Sequence, residues 1–268
     1  MAFVHGYEFD EMSRRGLYGD VTQRLVDICE AAPGSVVVDV GCGSGLATQL
    51  LLERFAHVGS IVGVDPSEHE LAIARKRLRD PKVRFLTGRA QDVESLVDPV
   101  DVAVLSNVMH QIPESERGSV VSGCYRMLKP GGRCALNTLF YDGAVLPGTR
   151  HFYARWLQAT RAWLRSRGSD LVLERDKPVA METLTPQQHE ELFERAGFSA
   201  VKAEEETYAW TLEDWDALCG YSVFIEGATG LTDMALGSEA LKAALRTTFQ
   251  DLGLTEVPRR WLFVSGVK

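Results

Sequence analysis

Along residues 36–140, short apolar runs alternate with stretches in which apolar side chains recur every three or four positions. The apolar runs predict strands at residues 36–40, 61–65, 83–86, 101–106 and 133–139, and the periodic stretches predict helices at about 45–56, 68–79 and 115–128. Strands alternating with helices imply right-handed βαβ units and a mostly parallel sheet. The segment RMLKPGGR (126–133) closes one helix and turns into the fifth strand through Pro130, Gly131 and Gly132. Two more strands are expected at about 199–210 and 260–267, making seven. Residues 141–185, with the aromatic and basic run HFYARWLQATRAWLRSRG, are too long for a simple connection, as are residues 211–258. Helical patterns at 212–219 and 238–250 lie in the second of these, and its apolar stretch LCGYSVFIEGATGL (218–231) reads as a glycine-rich loop over the site, with Tyr221, Phe224 and Glu226 facing either ligand or core. The expectation is one domain over 1–268, with a core at 20–140 and 186–268 and helical lid insertions at about 141–185 and 211–258.

The most informative decamer is VVVDVGCGSG, residues 36–45. A buried strand (Val36, Val37, Val38, Asp39, Val40) breaks into glycines at alternate positions, Gly41, Gly43 and Gly45, and then opens the helix LATQLLLERF. That sequence brings bare backbone and a helix N-terminus against a ligand. A second strand ends in Asp65, where a carboxylate is placed to hold a ribose diol. The string is GxGxG, not the GxGxxG of dinucleotide-binding proteins, so the ligand is a nucleoside-bearing cofactor of another kind.

Composition narrows the field further. Among 268 residues, 45% are hydrophobic and 25% charged, with a net charge of −8 and no block of Lys or Arg. That acidity argues against a protein that tracks phosphate backbones. No apolar run reaches the length of a membrane span and no signal peptide is visible. Five scattered cysteines without a CxxC pair suggest free thiols in a reducing, cytoplasmic setting, and dispersed histidines offer no zinc site.

The ordered series VVVDVGCGSG, VGVDPS (62–67), FLTGRAQDV (85–93), DVAVLSNVMH (101–110) and RMLKPGG resembles the class I S-adenosylmethionine-dependent methyltransferases over about residues 20–140. The resemblance implies a Rossmann-like α/β fold, with a seven-stranded, mostly parallel sheet and helices on both faces. It implies S-adenosyl-L-methionine as cofactor, with Gly41, Cys42, Gly43 and Gly45 close to its methionyl part. Asp39 would order that loop or meet the amino group, and Asp65 would accept the ribose hydroxyls. Pro66 would flank the adenine, and Ala90, Gln91 and Asp92 would read its edge. Position 89 is Arg where the family commonly carries an acid. Ser106 and Asn107, after the fourth strand, complete the expected cofactor contacts.

Methyl transfer from a sulfonium needs alignment and exclusion of water, and for some acceptors a base. His110, at the carboxyl end of the fourth strand, is the first candidate base, and His151 in the lid is its rival. Metal-dependent relatives bring acids after the fourth and fifth strands, whereas this chain has Ser106–Asn107 and Asn137, Thr138, Leu139, with Asp142 further on, so a metal-free site is expected. Phe140, Tyr141, Phe152, Tyr153, Trp156 and Trp163 mark either core or an apolar acceptor pocket. Tyr7, Phe9 and Tyr18 either close that pocket or pack on the sheet. The resulting expectation is methyl transfer to a small apolar or aromatic metabolite in natural-product tailoring, oxygen slightly favoured, with no nucleic-acid or membrane partner and a homodimer open. A cyclase that keeps the cofactor as a scaffold and a protein methyltransferase are the alternatives.

Overall fold

The computed structural model describes residues 10–172 and 182–268. The chain begins with α1 (Asp10–Ser13), α2 (Gly16–Cys29), β1 (Val36–Val40), α3 (Leu46–Arg54), β2 (Ser60–Asp65), α4 (Glu68–Arg77) and β3 (Val83–Thr87). It continues with α5 (Val93–Leu96), β4 (Val100–Ser106), α6 (Glu114–Met127), β5 (Leu128–Thr138) and α7 (Arg150–Arg165). Last come α8 (Pro186–Ala196), β6 (Ser199–Thr211), α9 (Leu212–Leu218), α10 (Ser222–Thr229), α11 (Met234–Leu252) and β7 (Glu256–Val267). None of the described helices is long and apolar enough to cross a membrane.

The seven strands form one sheet in the order β3-β2-β1-β4-β5-β7-β6. β3, β2, β1, β4 and β5 run parallel, and β7 pairs antiparallel with β5. This is the expected mostly parallel Rossmann-like sheet. The β-branched run Val36–Val40 suits a strand buried between neighbours on both edges. The order reverses between β1 and β4, and at such a switch point the connections diverge and leave a crevice outside the carboxyl ends.

Register fixes what lies along that edge. Asp39 pairs with Gly63 of β2 and Val104 of β4, and Ser106 pairs with Asn137 of β5. Since side chains alternate with a period of two, Asp39, Asp65, Ser106 and Asn137 share one face of the sheet. Helix entry is set by local chemistry. The Ser67 hydroxyl caps α4 by accepting from Glu70 N–H, and Thr185 with Gln188 forms a reciprocal capping box at α8.

Two expectations need correction. β5 begins at Leu128, not 133, because the register slips from Val100–Leu128 to Val102–Arg133 and the KPGG turn becomes a bulge inside the strand. Gly131 takes a φ of 79° there, and its N–H donates to the carbonyl of Lys268 at 2.9 Å. The stretch 218–231 is not a loop; most of it is α10, with Val223 and Ile225 buried. Gly230 ends that helix in the left-handed conformation, where a side chain would meet the Val172 carbonyl oxygen at 1.9 Å. The glycine marks a helix end, which the pattern alone made look like a loop.

Contacts divide the chain into two compact units. The larger comprises Gly19–Asp142, Thr183–Glu206 and Trp261–Lys268. The smaller comprises the described parts of Met1–Tyr18 and Gly143–Glu182 together with Thr207–Arg260. The smaller unit is centred on aromatic rings: Phe152 lies 5.6 Å from the centroids of Trp156, Trp215 and Phe249. Phe152 and Trp156 are buried, so that part of the aromatic run packs into the unit's interior.

Candidate active site

The loop after β1 is tied to the neighbouring strand: Gly41 and Cys42 N–H both donate to the Val64 carbonyl, at 2.7 and 3.1 Å. Gly41, Gly43 and Gly45 all have positive φ, at 73°, 49° and 86°. Their surroundings differ. A Cβ at Gly41 would fall 2.4 Å from Val108 Cγ2, and one at Gly45 would fall 3.1 Å from Ala74 Cβ. At Gly43 only Glu70 Oε2, at 3.9 Å, comes near. Gly41 and Gly45 therefore serve internal packing, and Gly43 alone of the three faces space that a ligand can fill.

Asp65 is locked to this loop. Its Oδ2 accepts from Gly43 N–H at 2.9 Å and its Oδ1 from Ser67 N–H at 2.8 Å. Burial pushes its pKa up, and the two N–H donors oppose that shift. Each oxygen keeps a lone pair, so a vicinal diol donating two hydrogen bonds suits this desolvated carboxylate. The site fits an adenosyl group at its ribose.

Asp39 is fully buried, and its Oδ2 accepts from the Thr48 hydroxyl at 2.6 Å. Its Oδ1 has no hydrogen-bond partner. Burial raises its pKa to about 7, against the Thr48 hydrogen bond and with a further push from Asp65. Such a group holds either a proton or a cationic donor. Cys42 is buried and its thiol pKa is pushed well up, so it stays a neutral hydrophobe. Helix α3 begins at Gly45 without a side-chain cap, and so presents the positive end of its dipole.

The remaining predicted adenine contacts are Pro66, directly after β2, and Ala90, Gln91 and Asp92, which share one turn after β3. Pro66 and Asp92 are exposed, while Ala90 is half-buried and opens a 310 turn over Ala90–Asp92. Gln91 Nε2 donates to Glu116 Oε2 at 2.5 Å, and Arg89 Nη2 donates to the same oxygen at 3.1 Å. Glu116 thus explains the arginine at position 89, which sequence reasoning left as a departure.

At the end of β4, Asn107 adopts a φ of 53°, unusual for a residue with a side chain. Its N–H donates to Asn137 Oδ1 at 2.8 Å and to Asn137 O at 3.1 Å, and its Oδ1 accepts from Leu139 N–H at 3.1 Å. The strained turn is thereby held across β4 and β5. Beyond it, the buried Arg117 donates from Nε to the carbonyls of Met109 and Ile112, pinning the segment that carries His110. His110 is 2% exposed, with its ring 4.3 Å from that of Phe140. Burial first, and then the Arg117 charge, lower its pKa to about 3, so the imidazole is neutral at physiological pH. His151 lies exposed in the first turn of α7. Tyr18 is buried in α2, Tyr221 is buried ahead of α10, and Phe224 and Glu226 are half-buried within α10. Tyr7 and Phe9 lie outside the described residues. Ser106 and Asn137 give the strand ends neutral donors and acceptors. Among the described residues no group of three or more His, Cys, Asp or Glu side chains is arranged to hold a metal. Arg117, Glu116 and Thr48 were not anticipated; Glu116 meets partners 25 and 27 residues away, and Arg117 and Thr48 meet theirs across a turn that no local pattern signals.

Residues 37–132 match a family model described as a methyltransferase domain. Over 167 residues the chain is 30% identical to the ubiquinone biosynthesis O-methyltransferase of Hahella chejuensis, covering 55% of this chain and 68% of that protein. The chain spans 66% of the ubiquinone biosynthesis O-methyltransferase of Pseudomonas paraeruginosa and 47% of a methyltransferase of Synechocystis. In fold it is similar to phosphoethanolamine N-methyltransferase 2 of Haemonchus contortus, solved with S-adenosylhomocysteine, at a TM-score of 0.55 and 18% identity over 93% of this chain and 52% of that one. The [4+2]-cyclase SpnF matches equally well, with a TM-score of 0.55 and 18% identity over 93% of this chain and 80% of the cyclase. At that identity both likenesses speak for the fold alone.

Proposed function

This chain belongs to the class I S-adenosylmethionine-dependent methyltransferases, and from that premise we propose that it methylates an oxygen atom of a small apolar or aromatic metabolite without a metal. The observation that carries the reading is the Asp65 carboxylate, fixed by Gly43 and Ser67 N–H at the carboxyl edge of the switch point. When bound, S-adenosylmethionine supplies a methyl group already activated as a sulfonium. Asp65 holds the ribose, Gly43 gives the backbone clearance, and Asp39 with the N-terminus of α3 receives the charged methionyl end.

On the acceptor side, Ser106, Asn107 and His110 orient the nucleophile and Arg117 keeps their segment in place. A buried imidazole with so low a pKa is a weak base, so the reading favours a phenol or enol that ionises readily over one that needs a strong base. The neutral side chains ending β4 and β5 support metal independence, because magnesium sites draw on carboxylates. Oxygen as the accepting atom is supported by the relative named as an O-methyltransferase. A tailoring role in secondary metabolism accords with the aromatic content of residues 143–172 and 207–260.

The test is incubation with methyl-labelled cofactor and a library of phenols and enols, followed by mass spectrometry. Labelled ether product together with released S-adenosylhomocysteine, at a rate unchanged by a chelator, is the expected result. Product without label would turn the reading to cyclisation. Label found only in a basic peptide would turn it to protein methylation.

A further inference from the structure

The fold accounts for only one end of the Asn137 carboxamide. Asn137 is fully buried in β5, level with Ser106. Its Oδ1 accepts from the backbone N–H of Asn107, which fixes the amide's orientation and places the group over the carboxyl end of β4. The NH2 end is then defined, and Nδ2 has no hydrogen-bond partner. A buried donor left without an acceptor is destabilising. The accepting end is also redundant, because Asn107 N–H already has the Asn137 carbonyl at 3.1 Å. An apolar residue at 137 would therefore satisfy the backbone and avoid the stranded donor.

Two further observations say what the donor awaits. Asn137 sits two strands from Asp39 in the order β1-β4-β5, a lateral separation of about 10 Å. One small charged group does not bridge the two, so Asn137 is separate from the methionyl end served by Asp39. Its register neighbours, Ser106 on one side and Phe263 on the other, and the Asn107 N–H that it accepts from carry no charge. An NH2 group in such a setting pairs with an oxygen lone pair and offers nothing to an ammonium.

We propose that Asn137 is an acceptor-binding residue whose Nδ2 donates a hydrogen bond to the phenolic or enolic oxygen of the methyl acceptor. This rests on the methyl-transfer reading given above and adds to it the residue that selects an oxygen nucleophile. Donation to the oxygen stabilises its anion, so the bound phenol ionises at lower pH than the free one.

The experiment uses 15N-labelled full-length protein saturated with S-adenosylhomocysteine and titrated with 4-nitrophenol as the probe. The Asn137 side-chain signals are identified by their loss in Asn137→Asp, with Asn137→Ser as a second variant; both keep an oxygen near Asn107 N–H. A saturable shift of the Asn137 NH2 pair supports the proposal. So does a bound nitrophenolate absorbance that appears at lower pH than in free solution, provided both variants abolish it while still binding S-adenosylhomocysteine normally. Saturable shifts elsewhere with the Asn137 pair unmoved overturn it and leave the proposed function standing. Failure of 4-nitrophenol to shift any signal also overturns it, and the methyl-label assay then decides the function separately.

Discussion

Replacing Asp39 by Asn removes a titrating group without changing its shape. Asp39 is completely buried, with one oxygen on the Thr48 hydroxyl and the other unpartnered, and its pKa rises from 3.8 to about 7. Because the folded value lies above the unfolded one, the native state holds the proton more tightly. This group's contribution to native stability is thus fully present below about pH 4 and is lost as pH rises through about 7. Integrating between these two values gives a loss of about 2.5 kcal/mol between about pH 5 and about pH 8. Asp39→Asn should lack that slope and be more stable than the wild type at the higher pH. Urea unfolding of both proteins across this range, without cofactor, reads the difference directly. Parallel stability curves for the two proteins would show that Asp39 does not carry its proton in the native state, and the argument from its burial would be refuted.

The glycine loop gives a paired prediction. Gly41→Ala forces a Cβ to 2.4 Å from Val108 at a positive φ, so it should cost about 2–4 kcal/mol of stability in chemical unfolding. Gly43→Ala meets no close neighbour and should cost only about 1–2 kcal/mol, yet raise the cofactor dissociation constant at least about tenfold. Asp65→Ala should weaken cofactor binding by about 1–3 kcal/mol by calorimetry; unchanged affinity would remove Asp65 from the site. His110→Gln should lower kcat less than about tenfold, whereas loss of a general base costs about 100-fold or more, a contrast that initial rates with an identified acceptor would decide.

Much of the parallel half was legible because its strands are nearly continuous apolar runs: Val36–Val40 and Ser60–Asp65 differ from the reading by a residue at most. The bulge in β5 was not legible, since Pro130–Gly132 looks the same whether the chain turns before a strand or slips register inside one. α10 was missed because glycine breaks at 220, 227 and 230 resemble a loop, although Gly230 is a helix terminator. Within the candidate site, spacing alone singled out the loop and Asp65, which the structure joins through the Gly43 N–H. It did not distinguish Gly43 from Gly41, because that depends on Val108, sixty-seven residues away in the chain. The neutral state of His110 was equally hidden, being set by burial and by Arg117 rather than by any nearby motif.

Gly41 is glycine because Val108 occupies the place of its side chain. A descendant of this protein that abandoned the cofactor would still be obliged to keep that glycine, unless the valine shrank at the same time. Position 43 meets no such neighbour and carries only the lighter cost of its positive φ, so it drifts more readily once nothing binds there. Across a lineage, erosion at 43 with persistence at 41 would therefore mark the members that have ceased to use the nucleoside, well before the rest of the motif decays.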